Sequence, residues 1–149
     1  MSFSKTVVAV VLIVATAGIA SSQTGGETKA DKQSQGWKWT LAQRLPEYGH
    51  RNWIVIADSA YPKQSAAGIE TVYTGAGQVE VVQEALKQIK ATKHIQPIVM
   101  FDSELASVPE ANAPGVEKYR ADLKALFGSQ PTSVMKHEDI IRKLDEGAK

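Results

Sequence analysis

Short apolar runs alternate with amphipathic segments along most of the chain, and this alternation limits the folds open to it. The runs at 53–57, 69–73, 97–101 and 132–135 have the length and β-branched content of strands. Strands that alternate with helices favour a mostly parallel sheet covered by helices. The sequence therefore predicts an α/β fold with three layers, in which helices flank a mostly parallel sheet.

Amphipathic helices are predicted between these strands. The segments 78–92 and 115–127 each carry apolar residues at three- and four-residue steps, which gives one apolar stripe per helix. Gly128 follows the second stripe and is typical of a helix end. Shorter helices are expected over 40–48 and 138–144.

The first 22 residues have the pattern of an export signal. Lys5 precedes an apolar run of roughly 14 residues, which is too short for a span that needs about 20. Small residues at Gly18 and Ala20 fit cleavage after Ala20. We expect a signal over 1–22, a flexible linker over 23–36, and a folded domain over 37–149. The mature protein would be secreted or periplasmic, with no stable membrane span after cleavage.

Composition excludes several classes of function. The net charge of +1 and the lack of a basic cluster with aromatics argue against nucleic acid as a partner. No cysteine is present, which excludes disulfides, thiolate metal sites and a cysteine nucleophile. None of the three histidines pairs with another at the spacing of a helical zinc site. We therefore expect neither a metal nor a cofactor.

One candidate site surrounds the run at 53–57. Gly49 and His50 come before it, and Asp58 comes directly after it. The carboxyl ends of strands are where open α/β sheets bind ligands, and imidazole moves protons near neutral pH. An aspartate after a strand is more often a turn former, however, and a histidine beside a glycine is often merely solvated. His50 can reach Asp58 only through a folded-back turn or from a neighbouring subunit.

The other histidines and one further aspartate are weaker candidates. His137 lies between the run at 132–135 and the helix at 138–144, where it could also point into water. His94 lies among lysines at a helix end and is interpreted as a surface residue. Asp102 follows a strand as Asp58 does, so it could line the same crevice, although a role in a turn is the more common one.

The stretch from Gly49 to Pro62 resembles the signature of the ribose pyranase and fucose mutarotase family. In that family a Gly-His pair opens a strand that ends in Asp and a proline-containing turn. The likeness extends more weakly from about Trp39 to the end of the chain. It implies that His50 is the catalytic acid/base residue and that Asp58 binds the sugar. A His-Glu pair at a similar place in the family implies that His137 also binds the sugar.

The resemblance implies an aldose mutarotase or pyranase of the ribose or fucose class that works as a homo-oligomer. The family continues into strands with an aromatic-x-Asn segment that completes the sugar pocket. No such segment is present here, so the domain is C-terminally incomplete by comparison. The alternative is a non-catalytic monosaccharide-binding or structural module derived from that family.

Overall fold

The computed structural model describes residues 6–13, 29–58, 60, 61 and 63–147. Four parallel strands form its sheet, and helices pack around them. This arrangement confirms the predicted α/β class. The sheet is small, because its strands are four to eight residues long.

The elements follow one another as strand and helix. In chain order they are β1 (Thr6–Ile13), α1 (Lys29–Arg44), β2 (Trp53–Ala57), α2 (Gln78–Ala91), β3 (Ile95–Asp102), α3 (Val116–Phe127), β4 (Thr132–Met135) and α4 (His137–Gly147). Two short 3₁₀ turns, Leu45–Glu47 and Ser103–Ser107, follow α1 and β3.

The strands lie in the order β2-β1-β3-β4, so β2 and β4 are the edges. β1 pairs with β2 from Ala9 opposite Trp53, and with β3 from Thr6 opposite Ile95. β4 pairs with the last four residues of β3, where Asp102 lies opposite Met135. All four strands point the same way, which brings their carboxyl ends to one edge of the sheet.

The larger core lies on the face that we call the front, between the sheet and helices α1, α2 and α3. Val82 and Ile89 of α2 are completely buried there and pack with residues of β2 and β3. Trp37 and Leu45 add the end of α1 and the turn after it to the same core. α1 also contacts α2 directly, because the side chain of Gln88 donates a hydrogen bond to the carbonyl of Lys38.

Helix α4 packs on the opposite face, which we call the back. Ile140 is completely buried, and it packs against Val55 of β2, Met100 of β3 and Met135 of β4. Burial of one such side chain contributes about 1.5–3 kcal/mol. It therefore fixes the first turn of α4, which carries His137, at the carboxyl edge of the sheet.

The prediction of a strand over 69–73 was wrong. This segment lies in irregular structure outside the sheet, and Val72 and Tyr73 are exposed. A β-branched run forms a strand only where it can pair with a neighbour and pack one face. The predicted helix over 40–48 was also misplaced: α1 ends at Arg44, and a 3₁₀ turn that contains Pro46 follows.

The N-terminal segments differ from the expected domain limits. Residues Thr6–Ile13 of the predicted signal form β1, and α1 begins within the predicted linker, at Lys29. Both elements begin before residue 37, and the division into signal, linker and domain stays a prediction. The expected cleavage site at 18–22 and the linker residues 23–28 lie outside the described residues, so removal of the signal stays a prediction.

We expect Glu110→Ala to weaken the start of α3. The carboxylate of Glu110 accepts hydrogen bonds from the backbone N–H groups of Glu117, at 3.0 Å, and of Gly115. These bonds lower the pKa of Glu110, so the stability they add is present above the unfolded pKa of about 4.3. This contribution to stability is lost as the pH falls through the lower pKa that Glu110 has in the folded protein.

The measurement is thermal unfolding of both proteins from pH 7 down to pH 3. At pH 7 the variant should unfold at a lower temperature than the parent protein. This difference in unfolding temperature should become smaller as the pH falls. Glu146→Ala, which removes the same charge from the exposed end of α4, should change little. A gap that persists unchanged at pH 3 would contradict the capping role.

Candidate functional site

Three chain segments bring polar side chains to the carboxyl edge of the sheet. Asp58 directly follows β2, Asp102 is the last residue of β3, and His137 opens α4 just after β4. Parallel pairing places these strand ends side by side, which is where open α/β sheets bind their ligands. The edge is therefore the candidate site.

Asp102 is the most deeply buried polar residue of this edge. Its side chain is 1% exposed. One carboxylate oxygen, Oδ1, accepts a hydrogen bond from the backbone N–H of Glu104 at 2.9 Å. The other, Oδ2, lies 2.6 Å from Nδ1 of His137. Burial of a carboxylate is costly unless it is hydrogen-bonded, and here both oxygens have a partner.

His137 is held by Asp102 and remains accessible. Its side chain is 29% exposed, although its partner carboxylate is almost completely buried. A carboxylate only accepts hydrogen bonds, so Nδ1 of His137 carries the proton that joins the pair. In the neutral ring the lone pair then lies on Nε2. A histidine oriented in this way by a carboxylate is suited to act as a general base.

Asp58 forms the turn that its position suggested. Its Oδ1 accepts a hydrogen bond from the backbone N–H of Ala60 at 2.7 Å, and its carbonyl accepts one from Tyr61 at 3.2 Å. The carboxyl group nevertheless stays at the same edge as Asp102. Since β1 lies between β2 and β3, the two strand ends are about 10 Å apart.

Tyr119 of α3 extends the site towards Asp58. Its hydroxyl is buried and makes no hydrogen bond within the described part of the chain. Burial, and then the negative charge of Asp58, raise the pKa of Tyr119. In the sequence, Tyr119 belongs to the apolar stripe of the helix predicted over 115–127. Nothing in the sequence indicated that its hydroxyl group would contribute to a site.

His50 does not join these residues within one chain. It is exposed, and it lies in the turn that closes with a hydrogen bond from the N–H of Asn52 to the carbonyl of Gly49. The five residues of β2, about 16 Å of extended chain, separate this turn from Asp58. Of the three site residues predicted from the sequence, the fold brings Asp58 and His137 to one edge and leaves His50 at the other.

His94 lies at the same end of the sheet as His50. It is exposed, and its Nε2 is 3.2 Å from the carbonyl oxygen of Tyr48. A carbonyl only accepts, so Nε2 of His94 is the donor. This agrees with the interpretation of His94 as a surface residue.

Asp102, Glu104 and His137 also form a possible donor set for a cation. One ligand atom from each side chain lies within 4.8 Å of the others. Both oxygens of Asp102 already accept a hydrogen bond, from the N–H of Glu104 and from Nδ1 of His137.

Comparison with known proteins yielded no match to a family model, to a curated protein or to a solved structure. Within the part of the chain that the structure describes, no helix is both long and apolar enough to cross a bilayer. The site must therefore be interpreted from its own geometry.

We expect the hydrogen bond that His137 donates to Asp102 to fix the tautomer of His137. In the neutral ring the proton should be on Nδ1, whereas the neutral ring of His94 should carry it on Nε2. Long-range ¹H–¹⁵N correlation spectra distinguish the two tautomers directly. Asp102→Asn should reduce the Nδ1–H form of His137 and leave His94 unchanged. An Nε2–H tautomer at His137 in the parent protein would contradict the geometry.

Proposed function

We propose that the chain is an aldose mutarotase or pyranase, in which the pair of Asp102 and His137 transfers the proton. The observation that carries the proposal is the buried carboxylate 2.6 Å from Nδ1 of a histidine that is itself partly accessible. The pair lies at the carboxyl edge of a parallel sheet, and the opposite side of the ring is available to a ligand. The resemblance to the ribose pyranase and fucose mutarotase family supplies the substrate class.

The chemistry requires at least one oriented imidazole. Nε2 of His137 takes the proton from the anomeric hydroxyl, and the bond between the anomeric carbon and the ring oxygen breaks. The same imidazole then protonates the ring oxygen. It can reach both the anomeric oxygen and the ring oxygen, because both are bonded to the anomeric carbon and lie close together. The open-chain aldehyde closes again from either face, or through another hydroxyl, by the reverse steps. Asp102 stabilises the imidazolium while it exists.

The neighbouring residues of the edge supply binding contacts. Asp58, about 10 Å away across the strand ends, accepts hydrogen bonds from sugar hydroxyls. The buried hydroxyl of Tyr119 gains a partner if a ligand hydroxyl reaches it. Tyr61, which follows Asp58 and packs partly against the back core, offers an apolar ring face. An export signal over 1–22 would bring the sugar to the protein outside the cytoplasm.

The alternative is a monosaccharide-binding module without catalysis. Such a module would have the same residues at the same edge of the sheet. It differs from the mutarotase in one observable: the sugar binds, but its ring forms interconvert no faster than they do without the protein. Saturation-transfer NMR on ribose and fucose measures both properties in one sample.

We expect His137→Gln to lower the acceleration of anomer exchange by about 10²–10⁴-fold, the usual contribution of a positioned acid/base group. The variant should stay folded, since the ring is partly exposed and Ile140 anchors α4 independently. His94→Gln is the matched control, because His94 is exposed at the other edge of the sheet. It should leave the rate unchanged.

Equal rates of anomer exchange in the parent protein and in His137→Gln would disprove the proton-transfer role of His137. A parent protein that binds the sugar and does not accelerate exchange would favour the binding module. Circular dichroism of both variants checks that the loss comes from the site and not from unfolding.

The resemblance also assigns catalysis to His50, which one chain places at the far edge of the sheet. We therefore propose that His50 acts, if the chain assembles, in the site of a second copy. His50→Gln and His137→Gln should then each be inactive alone, and a refolded mixture should recover part of the activity. Full activity of His50→Gln alone would rule out this role.

A further inference from the structure

A groove on the front face adjoins the site described above, and Asp102 is one of the residues that line it. It lies between α3 and the strands β3 and β4, and its volume is about 300 Å³. This size is at the lower end of the range for small-molecule sites. Phe101 and Val134 form its floor, since they are neighbours in the pairing of β3 with β4.

The walls of the groove are largely apolar. Leu123 and Phe127 of α3 line one side, and the ring of Phe127 meets that of Phe101 edge to face at 5.2 Å between centroids. Val134 is 70% exposed because no helix covers the front of β4. An apolar body of one ring fits against these side chains and removes the exposed surface from water.

The charged groups that line the groove favour an anion. Arg120 and Lys124 both reach it from α3. Arg120 donates from Nε to the carbonyl of Leu105 at 2.9 Å and from Nη2 to that of Val108, which fixes the guanidinium beside the groove. Lys124 is exposed, and its ammonium has no ion-pair partner among the described residues. Asp102 also lines the groove, and its carboxylate oxygens accept hydrogen bonds from the N–H of Glu104 and from Nδ1 of His137. The two cations therefore outnumber this one carboxylate.

We propose that this groove binds a small carboxylate with a compact aromatic or branched apolar body. The body lies on Phe101, Phe127 and Val134, and the carboxylate faces Lys124 and Arg120. The site goes beyond the proposed function and does not depend on it. It lies on the front of β3, whereas His137 pairs with Asp102 at the end of that strand and opens the helix on the back.

The probe is 3-phenylpropionate, added to the ¹⁵N-labelled full chain while amide shifts are recorded. Two matched compounds separate the contributions: 3-phenylpropan-1-ol keeps the ring without the charge, and propionate keeps the charge without the ring. We expect the acid to bind more tightly than either one. The shifts should be concentrated at Lys124, Phe127, Gly128 and Val134.

Variants test the two halves of the site. Lys124→Gln should weaken the acid about two- to fivefold, as expected for one exposed ion pair, and leave the alcohol unchanged. Lys118→Gln is the control, since Lys118 lies on the same helix, pairs with Asp122 and does not line the groove. Val134→Trp fills the groove and should weaken both ring compounds. Lys124→Gln should leave anomer exchange unchanged, which separates this test from that of the mutarotase.

Three results would overturn the proposal. The acid and the alcohol could bind equally, which would remove the role of the cations. The shifts could lie outside the groove, or be absent at millimolar ligand. The chain could also be a dimer by light scattering that Val134→Trp dissociates, which would show that a second copy covers the groove.

Discussion

The buried carboxylate of Asp102 is the constraint on which the site depends. An ionised group with 1% exposure would be strongly destabilising without partners. Its two partners come from different parts of the chain: the N–H of Glu104 from the turn after β3, and the imidazole of His137 from the start of α4. One side chain therefore connects the end of β3 with the start of α4. Loss of the imidazole would leave Oδ2 without its partner, whereas the side-chain amide of a glutamine at 137 could still donate to it.

β3 distributes its side chains between two surfaces. Val99 and Phe101 face the front core, whereas Met100 faces Ile140 and α4 on the back. Alternation along the strand gives the front its aromatic groove floor, and the last residue of the strand supplies the carboxylate that orients His137. The groove and the proton-transfer pair are thus built on adjacent residues of one strand. Asp102 is shared between them, because it lines the groove and also accepts the hydrogen bond from His137.

The periodicity of apolar residues correctly predicted the helices and strands that pack against adjacent elements of the sheet. The limits of β2 and β4 agree with the sequence prediction, and α2 and α3 agree to within one residue. The run at 69–73 failed because β propensity says nothing about whether a free strand edge is near. The pair of Asp102 and His137 could not be predicted either, since the two residues are 35 positions apart and only the packing of α4 brings them together. Composition and spacing could indicate each residue as a candidate. Only the folded structure shows that the two residues are partners.

Residues 6–13 show how one pattern can satisfy two structures. An unbroken apolar run suits an export signal, and it equally suits the centre of a parallel sheet, because both require apolar side chains on every side. β1 occupies that central position, while α1, α2 and α3 all lie on the front. The step from β1 to β2 runs in the opposite direction to the steps from β2 to β3 and from β3 to β4. The unit of β1, α1 and β2 therefore has the opposite hand to the other two, whereas about 98% of such units are right-handed. The N-terminal strand is thus the part of the sheet whose connection has the opposite hand, and an export role for the same residues stays a prediction.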